Sequence, residues 1–508
     1  MQRRHLLKSM AALSVTSTLP VTSIAKSLTK QASATSAINV KQQFNQALAN
    51  EPSLIGFANI DTNFERQTLA IEGQIPKDLT GCFYRNGPGK HERGEIRYKH
   101  LFEGDGMIQR FDINNGQIQH QGKFIQTPKF TRDQAAGKFL YSGPDTKITN
   151  ALPVSSSDMV NTANTNIIPV GDDLWALWEA GSASQLDGET LAFKQHVDLG
   201  NGSKYGKSLK GLPFSAHPKI DPNGDIWNFG LNGSGHIVLY HLTPKGQINN
   251  VGIVNAEYRG GMLHDFLITE KHILLILPSL VANHNIKGYF ARTQFDKNQA
   301  MQVLVVDKNT LTLQKRYELP PGFAFHFGNA WIEQDGTIGF DASLYDDIQV
   351  LHDLSGVMHG KMRNANARSK TTFFMLKPNG TTEQYSIDSY SEFPRICNHL
   401  TGLKNRYLYH LSAKTDSLWS DSVACIDTQT GKEAVYEFGR DFLVEEHIPV
   451  CPKGIEGTGY VIGTALHVPS KRTCLNIFDA SNVASGPIAR AWLPYHLPLG
   501  FHGNFNPA

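Results

Sequence analysis

The chain has 508 residues, of which 40% are hydrophobic and 19% charged. This composition supports a large core and excludes extended disorder. The 48 basic and 46 acidic residues give a net charge of +2, which argues against a nucleic-acid-binding protein that relies on phosphate contacts. No apolar run reaches the ~18 residues of a membrane-spanning helix.

The first residues are typical of an export signal. Arg3 and Arg4 precede two leucines and a lysine, and the next stretch is mildly apolar and rich in serine and threonine. This pattern resembles a bacterial twin-arginine signal, and small residues at 23–25 and 32–34 offer peptidase sites. We predict a signal over residues 1–34, one domain over 35–508 and a periplasmic location. A disordered basic tail is the alternative.

Most of the remaining chain has the pattern of an all-β protein. Short runs of β-branched and aromatic residues end at turn signals such as Asp221–Gly224 and Pro378–Gly380, which favour tight hairpins. Such signals recur roughly every 30–50 residues, the length of a four-stranded propeller blade; a large sandwich is the alternative. A short helix is expected over Ala37–Ala49, and a cap or loop insertion over Asp346–Arg368.

The five cysteines form no C-x-x-C pair, and their number is odd. A disulfide framework is therefore not expected, and buried thiols are the simpler interpretation. One bridge among the last four stays open, because an exported protein meets an oxidising environment. These four are Cys397, Cys425, Cys451 and Cys474.

Four of the twenty histidines lie in unusual local sequences, mostly beside aromatic residues or glycine. They are His217, His264, His326 and His502. In a propeller, equivalent strand ends from different blades converge on the axis, so distant histidines can meet there. Neutral imidazoles bind iron, zinc, copper or nickel, and spacing alone does not choose among them. Because terminal residues usually fray, a histidine so near the C-terminus predicts a tail that is tied into the body.

At this point the sequence resembles the carotenoid cleavage oxygenase family over about residues 50–507. Besides the histidine segments, four motifs in the right order carry the resemblance: Phe83–Pro88 (FYRNGP), Phe102–Ile108 (FEGDGMI), Ala176–Glu179 (ALWE) and Glu392–Ile396 (EFPRI). The resemblance implies a seven-bladed β-propeller with a helical or loop cap. It also implies that the four histidines hold a non-haem Fe(2+) ion on the axis as the catalytic metal centre.

The same resemblance implies three glutamates behind the histidines. Glu179 and Glu392 match the family pattern, and the third is expected at Glu446, with Glu445 as the alternative register. The local sequence departs from the family there, since Val450-Cys451-Pro452 replaces an aromatic-Val-Pro ending. Such acids accept the second ring N–H of a ligating imidazole and so fix its orientation.

The resemblance implies oxidative cleavage of a carbon–carbon double bond by O2, giving two carbonyl compounds. The substrate would be long, apolar and conjugated, a carotenoid or apocarotenoid first, and it would be met at a membrane surface. Phe325 and Phe501 are expected to line its binding tunnel, although ordinary core packing explains them equally well. Residues 418–421 and the 346–368 insertion are candidates for the entrance.

Several alternatives stay open. Hydroxylated stilbenes are a second substrate class, for which Tyr98 and Lys129 lie near the positions that would grip a phenol oxygen. A tyrosine at a strand edge and a surface lysine are the simpler interpretation. Other classes are a non-catalytic propeller that binds proteins, a zinc hydrolase and a double-bond isomerase.

Overall fold

The protein is a seven-bladed β-propeller, which confirms the predicted fold class. A computed structural model describes residues 32–508 except 363–366, 418 and 453. All seven sheets are antiparallel, and each has four or five strands. Residues 1–31, most of the expected signal, lie outside the described chain, so the signal and the 34/35 boundary stay predictions.

Blades 2 to 6 follow one another along the chain, and each begins with its innermost strand. Blade 2 contains Asn166–Val170, Asp173–Leu177, Ser184–Asp187 and Phe193–His196. Blade 3 contains Lys219–Ile220, Ile226–Leu231, His236–Leu242 and Ile248–Asn255. Blade 4 contains Leu267–Ile268, His272–Leu277, Met301–Asp307 and Leu313–Leu319. Blade 5 contains Phe323–Ile332, Ile338–Tyr345, Lys370–Leu376 and Thr382–Tyr390. Blade 6 contains Glu392–Arg395, Tyr407–Ser412, Ser422–Asp427 and Lys432–Glu437.

The two remaining blades combine strands from both ends of the chain. Blade 7 contains Phe442–Val450, Tyr460–His467, Arg472–Asp479, Pro487–Trp492 and Ala70–Gly73. Blade 1 contains Phe64–Thr68, Gly81–Lys90, Asp105–Asn114, Gln117–Phe124 and the C-terminal strand His502–Pro507. These pairings close the ring, because each end of the chain completes a sheet begun by the other. The tail is thus tied into the body, as predicted.

Helices and two small hairpins connect the strands of the ring. The α-helices are α1 (Ala32–Asn50), α2 (Pro128–Ala136), α3 (Tyr289–Arg292) and α4 (Gln349–Met358). The 3₁₀ helices are Pro52–Phe57, Leu101–Glu103, Ser157–Val160, Gly206–Leu209, Asn398–Leu400 and Val483–Ser485. Two small hairpins pair Glu92–Arg93 with Ile96–Arg97 and Leu280–Ala282 with Thr293–Phe295. Within the described chain, no helix has the length and apolarity needed to cross a membrane.

Helix α4 lies in the insertion that the sequence predicts as a cap. Its buried apolar residues recur at helical spacing: Val350, Leu351, Leu354, Val357 and Met358. This apolar face packs into the largest hydrophobic cluster, which joins the cap to the inner strands of the ring. Helix α1 also contributes to this cluster, through Phe44, and it begins five residues before the expected Ala37.

The cysteines form one disulfide, between Cys397 and Cys451. The other three are free, and of these Cys425 and Cys474 are buried. Two of the three free thiols are therefore buried, and the single bridge that the sequence left open among the last four cysteines is present.

Candidate metal centre

Four histidines from four blades meet on the propeller axis. Taking one ring nitrogen from each, the nitrogens of His217, His264, His326 and His502 all lie within 4.8 Å of one another. The Nε2 atoms of His217 and His264 are 2.9 Å apart. All four side chains are buried, with exposed fractions of 3–8%.

The inner strands explain why residues so far apart in sequence meet. His217 and His264 lie just before the first strands of blades 3 and 4, His326 lies within the first strand of blade 5, and His502 begins the innermost strand of blade 1. Because the inner strands of all blades run along the same axis, residues at corresponding heights face one another across it.

Three glutamates bind the outward ring nitrogens of three of these histidines. Glu179 Oε1 lies 3.1 Å from His264 Nδ1, Glu392 Oε2 lies 2.5 Å from His326 Nδ1, and Glu446 Oε1 lies 3.1 Å from His502 Nδ1. They come from blades 2, 6 and 7. Each of the seven blades therefore contributes one histidine or one glutamate.

The structure decides between the two adjacent glutamates of blade 7. Glu446 faces His502 and also accepts the backbone N–H of Gly503 at 2.7 Å. Glu445 points elsewhere: it forms a buried ion pair with Arg85 and accepts the N–H of Gly500 at 2.7 Å. The strand pairing is irregular between Val444 and His447, where these two residues lie, which gives each carboxylate its own direction.

The electrostatics favour neutral imidazoles at His217 and His502, whereas the nearby glutamate outweighs burial at His264 and raises its pKa. Burial lowers the pKa of His217 well below 6.5, and the neighbouring histidines lower it further. Burial also lowers the pKa of His502 to about 4, although Glu446 partly opposes this. Burial alone would raise the pKa of Glu446, but Arg395 and His502 bring it to about 2. Near pH 7 these two rings are therefore neutral, the form that binds metal ions.

The arrangement fits a metal ion. Two nitrogens that bind one ion at ~2.1 Å and at right angles lie ~3 Å apart, which matches His217 and His264. The inward Nε2 of His326 is buried and has no hydrogen-bond partner among the described residues, a cost that a ligand would remove. The outward nitrogens of three rings already have acceptors, so their inward nitrogens are oriented as ligands.

Two cavities meet at the histidines. The larger, of about 670 Å³, contacts His264, His326 and His502, and its mostly apolar lining includes eleven aromatic residues. The aromatic residues are Phe102, Trp178, Tyr258, Tyr289, Phe290, Phe325, Tyr345, Tyr390, Phe393, Trp419 and Phe501. The smaller cavity, of about 110 Å³, is more polar and contacts His217, His326 and His502. An apolar chamber therefore adjoins one side of the histidine cluster and a small polar chamber adjoins another.

The residues expected at the substrate tunnel divide into two groups. Phe325 and Phe501 line the larger cavity. Tyr98 and Lys129 lie outside the set of described residues that line it. Both are buried, and Lys129 Nζ is held by Asp105 at 2.5 Å and by Asp133 at 3.0 Å.

The expected entrance segments also contribute to the larger cavity. Val350 and Leu354 of α4 line it, as do Trp419 and Ser420. Residues 363–366 and 418 of those segments lie outside the described chain.

Sequence reasoning missed three residues that hold the site together. Tyr345 donates its hydroxyl to Glu392 Oε1 at 2.8 Å, and Arg395 Nη1 lies 3.3 Å from Glu446 Oε1. Phe393 stacks on His326, with ring centroids 4.7 Å apart, and has a φ of +51°. Arg395 could have been found from the sequence, because it is a charged residue within the EFPRI motif. Tyr345 could not, because its partner Glu392 is 47 residues away.

We expect Glu446→Gln to affect metal binding and Glu445→Gln to affect stability. Glu446→Gln should lower metal affinity about 10–100-fold, because the amide is a weaker acceptor for His502. Glu445→Gln should bind metal normally. Its free energy of unfolding should fall by about 3–5 kcal/mol, because the substitution breaks a buried ion pair. Metal titration and denaturant unfolding of both variants check this. Equal metal affinities in the two variants would contradict the assignment of Glu446.

Comparison with known proteins agrees with this geometry. The profile of the family described as RPE65, retinal pigment epithelial membrane protein, matches residues 57–507. An apocarotenoid-15,15'-oxygenase of Synechocystis sp. is 29% identical, over 86% of this chain and 92% of the relative. A lignostilbene-alpha,beta-dioxygenase isozyme III of Sphingomonas paucimobilis is 26% identical, over 86% of this chain and 93% of the relative.

Solved structures show the same architecture. The structure of a cobalt-substituted Synechocystis ACO is 27% identical to this chain and has a TM-score of 0.79. The structure of a glutamate-to-glutamine mutant of the Synechocystis apocarotenoid oxygenase has 26% sequence identity to this chain and a TM-score of 0.80. Both matches cover 90% of this chain and 99% of the solved chain. The chain therefore belongs to the RPE65 and carotenoid cleavage oxygenase family and is an oxidoreductase of the dioxygenase type.

Proposed function

We propose that the protein is a non-haem Fe(II)-dependent dioxygenase that cleaves a conjugated double bond of a carotenoid or apocarotenoid. The reaction would consume O2 and give two carbonyl products. One observation carries this proposal: four buried histidines meet on the axis, and the three that are oriented by carboxylates form part of the wall of a mostly apolar cavity of about 670 Å³. Nothing in a purely structural or protein-binding propeller would require that arrangement.

The donor set favours iron used for oxygen chemistry. His217, His264, His326 and His502 are neutral ligands, so a divalent ion would keep its full charge, and an octahedral ion would have up to about two open positions. When bound, the ion would supply the binding and activation of O2. A zinc hydrolase is disfavoured because four histidines already complete zinc's usual four-coordinate shell.

The chain's own residues then bind and orient the substrate and keep water away from it. Phe325 packs edge-on to His264 with ring centroids 5.2 Å apart, and Phe102 lies edge-on to Phe501 at 5.4 Å. These rings form apolar walls beside the histidines, which suit a flat polyene and exclude water from the reacting bond. The carboxylates beside the metal site are held by histidines, so they serve to orient ligands rather than to move protons.

Three observations favour a carotenoid or apocarotenoid over a stilbene. The lining of the larger cavity is mostly apolar, which suits a hydrocarbon chain better than a phenol. Lys129, the residue expected to grip a phenol oxygen, is instead neutralised by Asp105 and Asp133 away from the cavity lining. The Synechocystis relative, named for an apocarotenoid, points to the same substrate class.

The substrate assignment predicts a specific product pattern. Iron-loaded protein incubated with β-apocarotenals under ¹⁸O2 should give two shorter carbonyl compounds, which mass spectrometry detects. Hydroxystilbenes should react at least about tenfold more slowly, because only the apolar substrate matches the cavity lining. His326→Ala serves as the control for metal-independent oxidation. Faster cleavage of stilbenes would overturn the substrate class, and an isomerised but uncleaved product would overturn the reaction type.

We also propose that the protein is exported to the periplasm and meets its substrate at a membrane surface. The twin arginine Arg3-Arg4 supports export, and the Cys397–Cys451 bridge suits an oxidising compartment. Cell fractionation should find the wild type in the periplasmic fraction and the Arg3→Lys/Arg4→Lys variant in the cytoplasmic fraction. Equal cytoplasmic amounts of the two proteins would refute export through this signal.

A further inference from the structure

The disulfide joins the two strands that carry two of the three glutamates. Cys397 follows the innermost strand of blade 6, five residues after Glu392, and Cys451 follows the innermost strand of blade 7, five residues after Glu446. Their Cα atoms are 6.3 Å apart. Glu392 orients His326 and Glu446 orients His502. The bridge therefore links the supports of two adjacent histidines.

Blades 6 and 7 share a hydrophobic core that includes Leu411 and Val444, so the bridge is one of several links between them. Their innermost strands belong to different sheets, and no ladder of backbone hydrogen bonds joins them. Arg395 crosses the gap, reaching Glu446 at 3.3 Å and Asn504 of blade 1 at 3.1 Å. A side-chain ion pair tolerates small shifts between sheets, whereas a covalent bridge does not.

The bridge also borders the small polar cavity beside the histidines. Ile396 and Asn398, the two neighbours of Cys397, line this cavity, together with Arg395, Glu446 and three of the four histidines. Movement of the segment around Cys397 would thus open the metal centre toward its polar side. Water or a competing chelator would reach the ligands through that opening.

We propose that the Cys397–Cys451 disulfide positions Glu392 and Glu446 and thereby retains the metal, so that its reduction speeds metal release. This inference rests on the proposed metal centre. In the reductive step a dithiol gives two electrons and two protons: the protein S–S bond breaks, two cysteine thiols form, and the dithiol closes its own S–S bond. The site then keeps its ligands but loses part of their orientation.

Metal release from the full-length protein tests this. The protein is loaded with Co(II), whose visible absorption reports the ligand field, and is then challenged with excess EDTA. Release from Cys397→Ser/Cys451→Ser should be at least about tenfold faster than from the wild type, the range that a displaced outer partner produces. A phosphine, which reduces the bridge with water as oxygen donor, should accelerate release from the wild type to the same rate and leave the double variant unchanged.

Two controls separate positioning from general stability. Cys425→Ser/Cys474→Ser keeps the bridge and should release cobalt slowly. Leu239→Ala, in the third strand of blade 3 counted from the axis, lowers stability without changing a histidine, a glutamate or a cysteine, and should also release cobalt slowly. Fast release from Leu239→Ala, equal rates with and without the bridge, or five titratable thiols in the untreated protein would each overturn the inference. Failure of the wild type to bind cobalt would instead overturn the proposed function itself.

Discussion

His326→Ala should lose the metal and all cleavage activity while the propeller stays folded. The variant removes one of four ligands and leaves Glu392 without its imidazole partner. Loss of an outer partner alone costs ~10–100-fold in metal affinity, so loss of the ligand should cost more. The imidazole of His326 contacts Glu392, Phe393 and the other histidines of the site. None of these contacts pairs one strand with another, so the fold should survive its loss. Metal analysis of the purified protein, with circular dichroism as the fold check, measures both effects.

His120→Ala is the matched control for this prediction. His120 is also fully buried, but it lies in blade 1 and contacts Gln109 and Tyr495 rather than the axial cluster. Its loss should cost about 1–3 kcal/mol of stability, since it leaves buried polar groups unpaired, and should leave metal content unchanged. Full metal occupancy in His326→Ala, or loss of metal in His120→Ala, would contradict the assignment of the four histidines.

Deletion of Phe501–Ala508 should abolish metal binding and also destabilise the ring. The segment supplies His502 and the innermost strand of blade 1, which pairs with Gly81–Asn86. It also contains the buried Phe501, whose burial contributes about 1.5–3 kcal/mol. Without this strand, blade 1 exposes the unpaired edge of its next strand, so we expect both a lower unfolding midpoint and aggregation.

Two smaller changes separate the two roles of the tail. His502→Ala removes the ligand but keeps the strand, so it should lose metal with little loss of stability. Deletion of only Pro507–Ala508, which are exposed, should change neither property. An active, metal-containing protein after the longer deletion would show that the tail is dispensable. Thermal unfolding and metal content, measured on all three variants, distinguish these outcomes.

The sequence by itself determined the strand content, the ordered family motifs and the identity of the four histidines. Strands and turns are local properties, read from residue type and short spacing, and a histidine such as His326 between aromatic residues is visible without a structure. Local signals also indicated the cap around α4, and the family resemblance implied Glu179 and Glu392, which lie in its motifs.

Only the tertiary structure decided how residues far apart in sequence meet. It chose Glu446 over Glu445, because an irregularity in strand pairing sets which carboxylate faces the axis. It joined Cys397 to Cys451 and placed Lys129 between two aspartates instead of in the cavity. Each of these outcomes depends on the packing of one blade or loop against another. Side-chain direction and distance across such a contact are three-dimensional quantities that no local pattern of residues encodes.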